Sequence, residues 1–171
     1  MQAPSLITRS STMSLADYTQ PGLIIPRLRG PDAASVIQEL SQALHREGCV
    51  PELLPFYHEV MNREFLASTV MENGLAIPHA RLTALKRLTF AFGRGERPIA
   101  WGLKGTAPVT LVFLVAVPAT DAVNYLALIS GLAKFGTQPR LLDQLRAAGD
   151  GADLNAVFQQ ILLRSPGSAG R

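Results

Sequence analysis

The segment NGLAIPHAR, residues 73–81, decides how the rest of the sequence is interpreted. Residues 75–77 form an apolar run with little polar alternation, which is typical of a strand buried on both faces. Pro78 has no backbone N–H, so we expect the strand to end there or to lie at a sheet edge. Either arrangement holds His79 at a rigid strand end. An imidazole there could be a reactive group or a structural histidine in a turn, and this segment alone leaves both roles open.

The composition indicates one folded domain. The sequence has 171 residues, of which 47% are hydrophobic and 17% charged. We expect the domain in residues 15–164, between a mobile N-terminal tail (1–14) and a C-terminal tail (165–171). The formal net charge is +3, and no basic run points to nucleic-acid binding. Because no apolar stretch is long enough to span a membrane and no secretory signal is recognisable, we expect a cytoplasmic protein that is not membrane-embedded.

Hydrophobic periodicity and turn residues predict helices interleaved with strands. The clearest strand is 109–117, an apolar run that suits the centre of a sheet. The other predicted strands are 23–25 (closed by Pro26), 74–78, 88–93 and a short edge piece at 99–101, before a turn at 104–105. The predicted helices are 32–48, 52–66, 121–136, one from Pro139 and one from Asp153. These elements favour an α/β (α+β) fold, a three-layer αβα sandwich in which helices flank a mixed sheet.

Apolar residues at helical spacing also predict which face of each helix is buried. For helix 32–48, with Asp32 as its cap, these are Val36, Ile37, Leu40, Ala43 and Leu44. For helix 52–66 they are Leu54, Tyr57, Met61 and Phe65. For helix 121–136 they are Val123, Leu126, Ile129, Leu132 and Ala133.

The common catalytic signatures are absent from the sequence. It contains no G-x-S-x-G elbow, no phosphate-binding glycine loop, no H-E-x-x-H motif and no C-x-x-C pair. His45 suits the end of a helix and His58 has no second ligand at metal-binding spacing. The single cysteine, Cys49, is best interpreted as a small buried side chain. We therefore predict no metal and no cofactor.

A group of polar residues lies ahead of the predicted strand at 74–78. Arg63 falls at the end of helix 52–66, Ser68 and Thr69 fall in the following turn, and Asn73 stands just before the strand. Arginine offers a planar, permanently charged fork, hydroxyls add donors, and a neutral imidazole such as His79 can act as a nucleophile. If these side chains converge, they suit an anion, and a phosphoryl group above all.

Three pieces of this region together resemble the signature of a known family: Arg63-Glu64, Ser68-Thr69 and residues 73–79. The family is the type-2 group of enzyme IIA components of the bacterial phosphotransferase system. This group contains the fructose, mannitol and nitrogen-regulatory IIA domains. The order of elements matches from about residue 15 to residue 163. The resemblance implies a three-layer αβα domain whose motif histidine accepts a phosphoryl group from the carrier protein HPr. In the sugar transporters that group passes on to a IIB domain.

By this resemblance His79 is the phosphorylated nucleophile and Arg63 stabilises the phosphoryl charge. Ser68, Thr69 and Asn73 would line the phosphate pocket. The family usually has a second histidine early in the helix that follows the long strand. When Leu-Ala-Lys at residues 132–134 is aligned with the family's pattern, Tyr125 stands at that position. A tyrosine can donate a hydrogen bond to a phosphoryl oxygen but carries no positive charge, and simple packing is an equal interpretation.

Two function classes stay open. The first is a stand-alone phosphohistidine carrier, with an HPr-like donor and a IIB domain or a regulatory protein as its target. The second is a IIA-like module that binds protein without transferring phosphate. Tyr125 and Glu72 favour the second class. Glu72 adds negative charge near the predicted pocket. The turn that contains it has fewer glycines than is usual in the family, so its backbone is less free to wrap around an anion. The sequence leaves a homodimer open.

Overall fold

The computed structural model describes residues 12–102 and 108–164. The predicted turn at 104–105, the C-terminal tail and residues 1–11 of the N-terminal tail lie outside these ranges. The elements in the described ranges are β1 (Ile24–Leu28), α1 (Ala33–Arg46), α2 (Leu53–Leu66), β2 (Val70–Met71), β3 (Leu75–Ala76), β4 (His79–Leu82), β5 (Thr89–Ile99), β6 (Val109–Pro118), α3 (Ala122–Phe135), α4 (Pro139–Ala147) and α5 (Gly151–Gln160). Short 3-10 turns occupy Leu15–Tyr18, Pro21–Leu23 and Glu72–Gly74.

Strand β6 lies at the centre of a mixed sheet, as its sequence predicts. β5 pairs with it antiparallel on one side, and β3 and β4 pair with it parallel on the other. β1 is parallel to β5, and β2 is antiparallel to β3. Every residue of β6 except Thr110 is buried, which a strand covered on both faces requires.

Helices cover both faces of the sheet, so the predicted three-layer αβα sandwich is confirmed. On one face Phe92 and Phe113 pack 4.9 Å apart between ring centroids, and Phe158 of α5 and Phe135 of α3 close over them. On the other face α1 and α2 cover the sheet, with Phe56 of α2 fully buried. Large aromatic side chains bury much apolar area, so these two clusters hold the layers together.

The predicted limits of α1 and α3 are confirmed, and three other predicted limits are wrong. β5 runs from the predicted strand 88–93 to Ile99 of the predicted edge piece, because the exposed residues Glu96, Arg97 and Pro98 conceal this continuity. β1 continues through Pro26, which an edge strand tolerates. α5 begins at Gly151 rather than Asp153, because Asp150 is the cap that accepts a hydrogen bond from the Asp153 amide at 3.0 Å.

The predicted buried faces hold for α1 and fail in part for α2 and α3. In α2 the buried residues are Phe56 and Val60, whereas Leu54 is 63% exposed and Phe65 is 91% exposed. In α3 Leu132 is buried as predicted, but Val123 and Leu126 are exposed and the buried set is Leu128, Leu132 and Phe135. Apolar side chains on these two helices therefore face solvent. No helix in the described ranges is both long and apolar enough to cross a bilayer.

Met13 and Ser14, which the sequence assigns to the N-terminal tail, already pair with the end of the domain. The Leu163 amide donates to the Met13 carbonyl at 2.8 Å, and Ser14 forms an antiparallel bridge with Leu162. Met13 and Ser14 therefore contact the residues that follow α5.

Candidate functional site

His79 begins β4, which continues the line of β3 along β6. Leu75 pairs with Leu111 and His79 pairs with Val115, so β3 and β4 keep one register across Pro78. The Val115 amide donates to the Pro78 carbonyl at 2.9 Å and maintains that register. β3 ends at Ala76, before Pro78, as one of the two expectations has it, and β4 begins at once with His79. The alternative of a sheet edge holds for β4, since β6 is the one strand paired with it among the described residues, but not for β3, which lies between β6 and β2.

The His79 ring is held through both of its nitrogens. His79 Nδ1 lies 2.9 Å from the Ile77 carbonyl oxygen, and the Arg63 Nε–H donates to His79 Nε2 at 2.7 Å. A carbonyl only accepts, and an arginine only donates. The network therefore assigns the proton to Nδ1 and leaves a lone pair on Nε2. This neutral tautomer presents Nε2 as the nucleophilic nitrogen.

The surroundings of His79 also favour its neutral form. Burial lowers the pKa of His79 below its ordinary value, because a charged imidazolium loses hydration there. The hydrogen bond to Ile77 and the Glu64 carboxylate raise this pKa, while the Arg63 charge lowers it further. The net direction is downward, so the imidazole is neutral at pH 7.

Tyr125 lies beside His79 on the first half of α3. The two ring centroids are 5.8 Å apart, and the ring planes are inclined by 47°. Asp121 caps this helix by accepting from the Asn124 amide at 3.3 Å. Arg63 from α2, His79 from β4 and Tyr125 from α3 therefore meet at one place.

The two hydroxyls predicted for the phosphate pocket are instead bonded to the Glu64 carboxylate. Thr69 donates its hydroxyl proton to Glu64 Oε2 at 2.8 Å and its amide proton to Oε1 at 2.8 Å. Ser68 donates to Oε1 more weakly at 3.3 Å, and Trp101 Nε1–H donates to the same oxygen at 2.9 Å. The Ile77 amide in turn donates to Thr69 Oγ1 at 3.2 Å.

Comparison with known proteins identifies the family. Residues 17–161 match the family model described as the phosphoenolpyruvate-dependent sugar phosphotransferase system, EIIA 2. The chain belongs to this family. A nitrogen regulatory protein of Bradyrhizobium diazoefficiens is 28% identical to this IIA chain over 146 residues, which are 85% of this chain and 95% of the relative.

Two solved structures share the fold. Nitrogen regulatory protein IIA-Ntr from Neisseria meningitidis superposes with a TM-score of 0.77 at 24% identity, covering 84% of this chain and 98% of that one. Enzyme IIA of the Escherichia coli mannitol system, in complex with its phosphorylated IIB enzyme, has a TM-score of 0.68 at 14% identity, covering 80% and 94% of the respective chains. At these identities the likeness supports the fold alone.

Asn73 and Glu72 of this IIA domain lie away from His79. The pairing partners of Leu75 and His79 on β6 are four residues apart, a distance of about 13 Å along a strand, and residues 72–73 lie beyond Leu75. The Asn73 side chain donates to the Gly136 carbonyl at 3.1 Å, and its backbone φ of 68° suits a tight turn. The structure therefore does not bring Asn73 into contact with the imidazole.

Sequence reasoning missed Glu64 and Trp101 as parts of the IIA site. Glu64 is part of the Arg63-Glu64 motif, but the sequence suggested no role for its carboxylate. A signal was present, because Ser68 stands four residues after Glu64, at the spacing of one helical turn. Trp101 is 4% exposed, and a buried tryptophan needs an acceptor for its indole N–H.

The titration of His79 provides a test of this electrostatic picture. We expect its midpoint below the value of about 6.5 for an unperturbed histidine. Between that value and the lower folded pKa the unfolded chain binds more protons, so the free energy of unfolding should decrease as the pH falls through this window. NMR of ¹⁵N-labelled imidazole against pH measures the midpoint directly. A midpoint above the unperturbed value would contradict the assignment.

Proposed function

We propose that this protein is a phosphohistidine carrier of the IIA type. His79 Nε2 accepts a phosphoryl group from an HPr-like phosphocarrier and delivers it to a IIB domain or uses it as a regulatory signal. The observation that carries the proposal is the 2.7 Å hydrogen bond from Arg63 Nε to an unprotonated His79 Nε2. It places a permanent cation at the atom that would form the new bond.

Bonds, electron pairs and protons are all accounted for in this transfer without a metal ion or an added base. The Nε2 lone pair forms the new N–P bond while the donor imidazole recovers the electron pair of the bond that breaks. His79 keeps its Nδ1 proton on the Ile77 carbonyl throughout. Such in-line transfer depends mainly on positioning and on stabilising the phosphoryl oxygens.

Arg63 has two successive tasks in this proposal. Before transfer its Nε–H occupies the Nε2 lone pair. When the phosphoryl group arrives, the guanidinium releases Nε2 and donates to the phosphoryl oxygens instead. Its five N–H donors and permanent charge suit that exchange. Because Arg63 is exposed at the end of α2, its side chain has room to move.

The exposed apolar residues of α2 and α3 suit a protein partner. Phe65 and Leu66 are 91% and 83% exposed close to Arg63 in the chain, and Val123 and Leu126 are 57% and 62% exposed on either side of Tyr125. Clustered apolar residues at a surface mark contact sites. The complex of the mannitol IIA enzyme with its IIB enzyme supports the same class of partner here.

We propose further that the protein is a cytoplasmic regulatory IIA. A nitrogen regulatory protein matches this chain over 95% of its own length, which supports the regulatory class. The decisive experiment incubates the protein with phosphoenolpyruvate, enzyme I and HPr, followed by intact-mass analysis at alkaline pH. A mass gain of one phosphate supports the carrier. Failure to gain it while HPr is phosphorylated would refute the carrier function.

The alternative is a IIA-like module that binds protein without transferring phosphate, and Tyr125 is the observation that favours it. The substitution Tyr125→His tests whether residue 125 contacts the phosphoryl group. We expect the phosphoform of this variant to live about tenfold longer, because an imidazolium adds one charge-assisted hydrogen bond to the phosphoryl group. Tyr125→Phe is the matched control, since it removes only the hydroxyl. Equal lifetimes in wild type and Tyr125→His would place Tyr125 outside the phosphoryl contacts.

A further inference from the structure

A continuous chain of hydrogen bonds leads from Trp101 to the imidazole of His79. Trp101 and the Thr69 hydroxyl both donate to the Glu64 carboxylate, at 2.9 and 2.8 Å. Thr69 Oγ1 accepts from the Ile77 amide at 3.2 Å. The Ile77 carbonyl then accepts from His79 Nδ1 at 2.9 Å. Every group between the buried indole and the imidazole is thus held by its neighbour.

We propose that Glu64 and Thr69 are positioning residues for His79. They hold Ile77 in place, and Ile77 at Nδ1 acts together with Arg63 at Nε2 to favour the Nδ1–H tautomer, which leaves Nε2 unprotonated. This inference rests on the proposed phosphoryl transfer and gives these two residues a part in it. Neither side chain contacts the phosphoryl group in this arrangement.

The direction of the protons follows from the groups themselves. A carboxylate only accepts, so the single hydroxyl proton of Thr69 is directed at Glu64. The hydroxyl oxygen is then an acceptor for the Ile77 N–H. No donor remains on this hydroxyl for a phosphoryl oxygen. Thr69 therefore acts through Ile77 and not as a ligand of the phosphoryl group.

Ile77 needs this support because of its place in the chain. It lies between β3 and β4, at the interruption caused by Pro78, and is 5% exposed. Buried backbone N–H groups require a partner, and the Thr69 hydroxyl supplies one just past the last pair of the β2–β3 ladder, Val70 with Ala76. Without that anchor the Ile77 carbonyl would be less well fixed opposite Nδ1.

The anchor itself is rigid. Glu64 belongs to the last turn of α2, and its carboxylate also binds the indole of Trp101, which is buried just after β5. The carboxylate therefore connects the end of α2 to the sheet. A group held by its surroundings in this way keeps a catalytic side chain in one geometry.

The test is the tautomer of His79, measured by long-range ¹H–¹⁵N NMR in Thr69→Val and Thr69→Ser. Wild type should show the Nδ1–H tautomer alone. Thr69→Val should show a mixture of tautomers, with phosphoryl acceptance slower by roughly three- to tenfold, the factor expected for one lost hydrogen bond. Thr69→Ser keeps the hydroxyl and should restore both readouts. Thr137→Val is the matched control, because that exposed hydroxyl binds only the Lys134 carbonyl on the far end of α3.

A single tautomer in Thr69→Val would overturn the inference, whatever its transfer rate. A mixture in both Thr69 variants would overturn it as well, because the hydroxyl would then not be the determinant. If Thr69→Val does not fold, Glu64→Gln provides the second variant and should shift the tautomer in the same direction. Absence of phosphorylation in wild type would refute the proposed function alone, since the tautomer is measured without a phosphoryl donor.

Discussion

His79→Ala should abolish phosphoryl acceptance. The substitution removes the imidazole that meets Arg63, and within the described part of the chain no other side chain at this place offers an unprotonated nitrogen in contact with a cation. With enzyme I, HPr and phosphoenolpyruvate, intact-mass analysis should show phosphate on wild type and none on the variant. The fold should survive, because His79 is half-buried at the start of an edge strand whose ladder is formed by backbone groups.

His58→Ala is the control for this experiment. His58 is an exposed residue on α2, and its ring makes a tilted contact with Tyr57, 5.8 Å apart between ring centroids. This variant should gain phosphate at the wild-type rate. Phosphate retained by His79→Ala would assign the acceptor to another side chain and would refute the proposed role of His79. Circular dichroism of both variants distinguishes a lost nucleophile from a lost fold.

Arg63→Gln should slow transfer by about 10² to 10³, the range seen when a preorganised donor is removed from a developing negative charge. Arg63→Lys should transfer phosphate at a rate between those of wild type and Arg63→Gln, because an ammonium keeps the charge but not the planar fork. The pKa of His79 should rise in Arg63→Gln, since the guanidinium charge lowers it in wild type. Rates come from quenched-flow transfer from phosphorylated HPr, and the pKa from imidazole NMR.

Arg27→Gln is the matched control for the loss of one arginine. Arg27 lies on β1 at the opposite edge of the sheet, where it is paired with Glu96 at 3.3 Å and is 80% exposed. This variant should retain both the rate and the His79 titration. A wild-type rate in Arg63→Gln would contradict the electrostatic role, even if the pKa of His79 still rises.

The features that were predictable from the sequence depend on local patterns. The cap at Asp32, the helix limits near Gly136 and the apolar run of β6 are each specified by a few neighbouring residues, and all three are confirmed. The spacing from Arg63 to His79 likewise suggested a shared site, and the two side chains meet at 2.7 Å. The end of a helix and the start of a strand bring them together.

The features that were missed depend on contacts between distant parts of the chain. Whether Thr69 points at a ligand or at Glu64 is decided by where α2 ends relative to the sheet, which no local pattern specifies. Asn73 seemed to belong to the pocket through its place in the motif, yet its side chain is bonded to Gly136, 63 residues later. The buried face of α2 was misjudged because Leu54 and Phe65 fit a helical stripe although both are exposed.

The common register of β3 and β4 on β6 has a consequence for how a phosphorylated state is recognised. His79 is fixed by ladder hydrogen bonds to the central strand, and the Val115 amide holds the carbonyl of the preceding proline. In the proposed cycle, therefore, the backbone around the nucleophile has little freedom to rearrange. What changes is the sign of the charge at the surface, as a phosphoryl dianion is added beside Arg63. A regulatory partner would then distinguish the two states by their electrostatic potential rather than by their shape.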